Sequence, residues 1–227
     1  MRYLTLYLVL MMSVHFCQSQ TGISDTGLWS QYIFTKSLKN QWFITGDLQY
    51  RTYELTSDFQ QFIARAGVGY RPKNTQLDLV AGYAYFLSGP FGESETTSGE
   101  HRFHQDIWWA SNVATCFELK HRIRIEERFV EDQDFRSRFR YTLFLNIPLN
   151  QKTITDKTWY LALWNEVFIN GETSTGQGQV QYFDRNWAFG GLGYQLNKAL
   201  KFQLGYMREV TPNISKGQLV LTAFHKL

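Results

Sequence analysis

Apolar and polar residues alternate with a period of two over most of the chain, as in strands whose two faces meet different surroundings. The alternation predicts strands at Leu28–Ser37, Trp42–Tyr53, Gln60–Tyr70, Gln76–Leu87, His101–Asn112 and Lys120–Val130. It continues at Arg136–Ile147, Thr158–Asn170, Asp184–Leu196, Leu200–Glu209 and Gly217–His225. Polar, glycine-bearing stretches at Ser88–Gly99 and Gly171–Gly178 read as exposed loops. No domain linker, low-complexity tract or helical period interrupts the series.

The faces can be assigned strand by strand. In the sixth predicted strand Arg122, Arg124, Glu126 and Arg128 share one face, while Ile123, Ile125 and Phe129 take the other and Glu127 is the exception. The seventh sets Arg136, Arg138 and Arg140 against Phe139, Tyr141, Leu143, Leu145 and Ile147. The second sets Asp47, Gln49 and Arg51 against Leu48 and Tyr50, and the tenth sets Lys201, Gln203 and Glu209 against Phe202, Leu204 and Tyr206.

Which face points inward decides the class. A soluble barrel or sandwich turns its apolar face inward; a membrane barrel turns it outward to lipid and keeps a polar lumen. The charged face here is dense and recurs on many strands, the strands are long enough to span, and Trp, Tyr and Phe gather near strand ends. The expected fold is therefore all-β: an antiparallel transmembrane barrel of ten to twelve strands, twelve favoured, in the outer membrane of a Gram-negative cell. Twelve is favoured on parity. The shortest links follow the first, third and ninth strands and the longest follow the fourth and eighth, which puts the C-terminus in the periplasm. Eleven strands would then leave the N-terminus outside, so either a strand precedes Leu28 or one counted strand does not span.

The N-terminus changes what counts as the folded chain. Arg2, the apolar run Tyr3–Val14 and the small residues Cys17 and Ser19 form an export signal cleaved near Ser19/Gln20, giving a leader at 1–19 and a barrel at 20–227. Phe16 before Cys17 argues against lipidation there. Cleavage leaves Cys116 as a single thiol with no disulfide. Aromatic residues make up 17% of the chain, which suits pleated, half-buried surfaces. Mean hydropathy is only −0.33, but alternating faces cancel in any average. A net charge of +3 with no accompanying motif implies no nucleic-acid partner.

Several segments carry a resemblance that spans most of the chain. These are GLWSQYIFTKSLKNQWFITGDLQYR from Gly27, HRIRIEERF from His121, RFRYTLFL from Arg138, NEVFIN, FDRNWAFGGLGY and LGYM. Together they resemble the Domain of Unknown Function 2490 family. The resemblance implies an outer-membrane barrel and no established activity, so it transfers no catalytic residue. One departure is Trp187, where a basic residue is expected after FDRN.

The candidate site is the inward charge ladder: Asp47, Arg51, Arg65, Arg102, Asp106, Arg122, Arg124, Glu126, Arg128, Arg138, Arg140, Glu166 and Arg185. Arginine forks pair with carboxylates two bonds at a time, so such a ladder either fills the barrel and fixes strand register or forms a basic constriction that binds or passes anions. The expected protein is a non-enzymatic narrow pore or structural or binding barrel. It has no cofactor and no metal, since His101 and His104 lack partners at a diagnostic spacing. The expected partners are outer-membrane lipid and, during biogenesis, the barrel-insertion machinery; the ligand is not specified. Two alternatives remain open. One is an outer-membrane lipid hydrolase assembling serine and histidine from adjacent strands, with Ser111, His104, Asp106 and His121 in the region. The other is a soluble periplasmic barrel holding an apolar ligand, with Leu77, Leu79, Tyr83, Phe139, Tyr141 and Leu143 turned inward. Gly190, Gly191 and Gly193 lie on a strand with no following helix and make no nucleotide loop.

Overall fold

The structure, a computed structural model, describes residues 21–92, 96–114 and 117–227. Every regular element among them is a strand. They are β1 (Thr21–Ser37), β2 (Trp42–Thr52), β3 (Phe59–Tyr70), β4 (Leu77–Ser88), β5 (Ser98–Ala114) and β6 (Phe117–Val130). The series ends with β7 (Arg136–Pro148), β8 (Thr158–Asn170), β9 (Phe183–Gln195), β10 (Leu200–Val210) and β11 (Ile214–Lys226). The expected leader, with Cys17, and the turn holding Cys116 lie outside the described residues.

Each strand pairs antiparallel with the next, and β1 closes the barrel by pairing parallel with β11. Closure removes the free edges that would leave backbone groups unpaired. The favoured count of twelve gives way to eleven among the described residues. Parity demands an even number only when every pair is antiparallel, and one parallel pair closes an odd set. Among the described residues no separate strand precedes Leu28; β1 itself runs back to Thr21, opposite Ile214. At the other end of the seam the Leu227 N–H donates to the Thr35 carbonyl at 2.8 Å. The two described chain ends therefore lie at opposite ends of the barrel.

The links sort by end. At one end lie 38–41, 71–76, 149–157 and 196–199; at the other lie 53–58, 89–97, 131–135, 171–182 and 211–213. The first is a tight hairpin, with Asn40 and Gln41 both left-handed at φ 56° and 67°, as a type I′ turn requires. The link after β10 is shorter than its sequence suggests, because Thr211 organises the turn: its N–H donates to the Ile214 carbonyl and its hydroxyl accepts the Ile214 N–H at 2.9 Å. Link 149–157 at the first end is as long as 89–97 at the other, so the contrast between the two ends rests on 171–182.

The outward face is apolar and the charged residues face in. Leu48, Val68 and Leu192 are each 50% exposed, while Asp47, Arg102, Arg124 and Glu126 are buried. This overturns the apolar-ligand alternative. Leu77, Leu79, Tyr83, Phe139 and Tyr141 are all exposed on the outer surface, and alternation puts Leu143 on their face. Aromatic pairs band both rims of that surface. Trp42–Tyr70 at 5.0 Å and Trp159–Tyr194 at 4.7 Å mark the short-link end. Tyr50–Phe59 at 5.6 Å and Phe129–Phe135 at 5.3 Å mark the other.

Inside, the lumen has two walls. On β8 to β11 and β1, Trp29, Tyr160, Phe168, Trp187, Phe189, Met207 and Val220 form a buried apolar cluster. Gly193 makes room for it, since any Cβ there would collide with the Tyr160 ring. On β5 to β7 the wall is ionic.

Candidate functional site

Glu126, on β6 and 1% exposed, is the hub of the ionic wall. Its carboxylate accepts Arg138 Nη2 at 2.7 Å and Nε at 3.0 Å, Arg140 Nη1 at 2.6 Å and Arg102 Nη1 at 3.4 Å. The register makes this convergence. Arg138 stands directly across from Glu126 on β7, and Arg140 is the next inward residue along the strand. Glu166 on β8 extends the network, accepting Arg140 Nε at 2.8 Å and Arg122 Nη2 at 2.7 Å. Asp106 takes both bonds of one Arg124 edge, each at 2.6 Å.

Toward the long-link end the pairs continue. Glu100 binds Arg102 at 2.6 and 2.7 Å and Arg128 at 2.6 and 3.1 Å. Asp184 accepts Arg138 at 2.9 Å and Arg185 at 3.0 Å, and Arg185 reaches Glu209 at 2.9 Å. Above them link 171–182 folds against 131–135, with the Asp134 N–H donating to Thr175 O at 3.0 Å. Ser137 is held by Glu172, whose carboxylate accepts both its N–H and its hydroxyl.

The ladder residues named from alternation fall in two groups. Arg102, Asp106, Arg122, Arg124, Glu126, Arg128, Arg138, Arg140, Glu166 and Arg185 join in this ionic wall. Asp47, Arg51 and Arg65 stand apart on β2 and β3. Arg65 reaches Asp47 at 3.3 Å, and Asp47 is also bound by Gln49 at 2.6 Å. Arg51 has no carboxylate within ion-pair distance among the described residues; it donates to Gln49 and lies 3.7 Å over the Trp29 ring. Trp187 fills the place where a basic residue was expected. It packs on Phe168 at 4.6 Å and Trp29 at 5.2 Å, with the Arg51 guanidinium 5.0 Å above it.

Three participating carboxylates escaped the sequence reading. Glu100 follows the alternation of Arg102 but precedes the expected start of its strand. Asp184 sits at a register shift between β8 and β9, where alternation fails. Glu209 was placed on the polar face of its strand, but its partner Arg185 lies on the neighbouring strand, whereas the adjacent Arg208 points outward.

A cavity of about 720 Å³ runs beside the ionic wall. Arg71, Lys198 and Ala199 from the short links border it, and so do Trp108, Phe144, Lys120 and Lys201. No described residue of the long links does. On the outer surface near the short-link rim, Ser111 Oγ lies 3.0 Å from His121 Nε2, and His121 Nδ1 lies 2.8 Å from Tyr141 Oη. His104 and Asp106 face the lumen, far from this pair in orientation. No group of three or more His, Cys, Asp or Glu among the described residues could hold a metal ion.

Fold and site together define a closed β-barrel with an ion-paired interior and an apolar exterior. A family model described as "Protein of unknown function (DUF2490)" matches residues 26–220, and the chain belongs to that family. No curated protein and no solved structure matches it.

Proposed function

We propose that this chain is an outer-membrane barrel, exported by the leader at 1–19, whose lumen is a binding vestibule closed by ion pairs toward its long-link end. The observation that carries this is the inverted distribution: apolar side chains such as Leu48 and Leu204 on the outside, buried arginines and carboxylates on the inside. Water would penalise that exterior, and lipid would not. Aromatic bands at both rims suit the two interfaces of a bilayer. The short links then face the periplasm, so the vestibule opens there. Outer-membrane lipid is the solvent, and the barrel-insertion machinery is the partner in assembly. The test is membrane fractionation with heat-modifiable gel mobility on the same sample. Recovery in the outer membrane with a heat-dependent shift is expected; recovery in the soluble periplasm without one rejects the proposal.

A lipid hydrolase is the second reading, and the Ser111–His121–Tyr141 contacts favour it. Adjacent strands supply a nucleophile, a base within hydrogen-bond reach and a group that orients the base. His121 Nε2 would take the Ser111 proton as Oγ attacks an ester carbonyl at the bilayer surface, and would give it to the alcohol that leaves as the ester C–O bond breaks; water, activated by the same base, would then release the acid. A serine-reactive phosphonate probe on the refolded protein tests it. Labelling lost in both Ser111→Ala and His121→Ala supports hydrolysis; an unlabelled native protein rejects it.

A further inference from the structure

The carboxylates do not use all the donors of the lower ionic wall. Asp106 occupies the Nε and Nη2 edge of Arg124, and the buried Arg124 Nη1 has no hydrogen-bond partner, only a long 4.0 Å ion-pair contact with Glu126. Arg122 gives Nη2 to Glu166 and Thr142, and its buried Nε has none. Arg65 makes one 3.3 Å contact, to Asp47. All three guanidiniums border the same cavity.

The sequence of β4 explains why they share that space. Arg65 on β3 is paired across the ladder with Ala84, and the neighbouring inward position of β4 is Gly82, over which the His104 ring lies. Ala84 and Gly82 leave a gap between Val80 and Phe86 on the inward face of β4, and the like charges of Arg65 and Arg124 oppose one another across it. Like charges held around a void, with donors unsatisfied, form an anion site in the physical sense: an anion there removes the repulsion and supplies the missing acceptors.

We infer that Arg65, Arg122 and Arg124 bind a phosphate group, entering from the short-link end past Lys120 and Lys201. Arg65 on β3 faces Arg122 and Arg124 on β6, so planar forks approach from two sides. That suits the several oxygens of a tetrahedral phosphate better than the two of a carboxylate. Asp47, Asp106 and Glu166 each hold one of the three forks, so a bound phosphate would take the donors these carboxylates leave over. The Trp108 and Phe144 rings, stacked at 5.6 Å beside Arg122, line the approach. The inference deepens the vestibule reading and rests on inward orientation, not on bilayer location.

The test titrates inorganic phosphate into the full-length mature chain folded in detergent, against chloride at matched ionic strength. The readouts are the temperature at which the folded gel band is lost and the 31P linewidth of phosphate. Phosphate is expected to raise that temperature by several degrees and to broaden the line. Arg65→Gln is expected to keep the folded band, because Gln49 still binds Asp47, and to lose most of the phosphate response. Should that variant fail to fold, the linewidth on the native chain decides. A larger response to dihexanoyl phosphatidate than to phosphate assigns a lipid headgroup, and an equal one assigns free phosphate. No response beyond chloride, or an equal response in Arg65→Gln, overturns the inference. A failed fractionation with a positive titration would remove the membrane reading alone.

Discussion

The two walls of the lumen solve one packing problem by opposite means. On β5 to β7 the interior is filled by guanidinium forks on carboxylates, and every bond fixes a direction. On β8 to β11 and β1 it is filled by rings and aliphatic side chains, where burial is favourable in many orientations. The walls meet where Arg140 lies 4.3 Å and Arg138 5.3 Å over Phe168. The difference teaches where specificity resides. A one-residue slip of β6 against β7 would strand Glu126 outside its three arginines, whereas the aromatic wall would only repack. The ionic wall therefore sets register, and the aromatic wall supplies volume.

The sharpest way to break this contrast is Glu126→Gln. Three guanidiniums would lose their common carboxylate in a place that water does not reach. Removing one partner from a buried ion network costs about 3–5 kcal/mol. Denaturant unfolding in detergent should show a loss of that size, with a smaller folded fraction on refolding. A loss below about 1 kcal/mol would mean that the network behaves like a solvated surface.

Trp187→Ala attacks the other wall. The ring touches Trp29 and Phe168, and its removal leaves a cavity that neighbours on rigid strands cannot close. The expected cost is about 3 kcal/mol, measured in the same unfolding experiment. Trp187→Lys should cost more than Trp187→Ala, although a basic residue was expected there from the family resemblance. A lysine would stand across from Glu166 and Glu209, whose carboxylates already hold Arg122, Arg140 and Arg185, and would add positive charge beside Arg51 and Arg140. Equal or better stability in the lysine variant would show that the aromatic wall tolerates charge.

The contrast also explains what was legible in the sequence. The ionic wall was readable because charges recur at every second residue, as in Arg122, Arg124, Glu126 and Arg128; β8 was bounded correctly by the same alternation. The aromatic wall was not. Trp29, Phe168 and Trp187 face inward, but an apolar residue on a strand gives no sign of which side it takes when both sides hold apolar residues. The parallel seam was equally hidden, since pairing of β1 with β11 joins residues nearly 200 positions apart, as in Gln31 to Thr222. Ser111 and His121 needed the register of β5 on β6 before they could be seen as neighbours.

Gly193→Ala probes how tightly the aromatic wall is filled. The added methyl meets the Tyr160 ring, whose hydroxyl accepts from Gln203 at 3.1 Å and so resists displacement. Overpacking of this kind costs about 2 kcal/mol. A neutral result would mean that Tyr160 can swing into free lumen, and the volume assigned to the wall would be too large.

Arg71→Ala should have the smallest effect, and it calibrates the rest. Arg71 lies just beyond β3, and its fork binds Asp78 at 2.5 and 2.7 Å, a geometry as good as any in the ionic wall. That hydrogen bonding holds its guanidinium above the ordinary value. Yet its side chain is 57% exposed, so water competes for both partners and salt screens them. Its loss should cost less than about 1 kcal/mol, and that cost should shrink further in high salt. The Glu126→Gln cost should hardly respond to salt, because buried pairs are screened far less. If the two costs fell together with rising ionic strength, the lumen would be wet throughout, and burial would no longer separate the ionic wall from an ordinary charged surface.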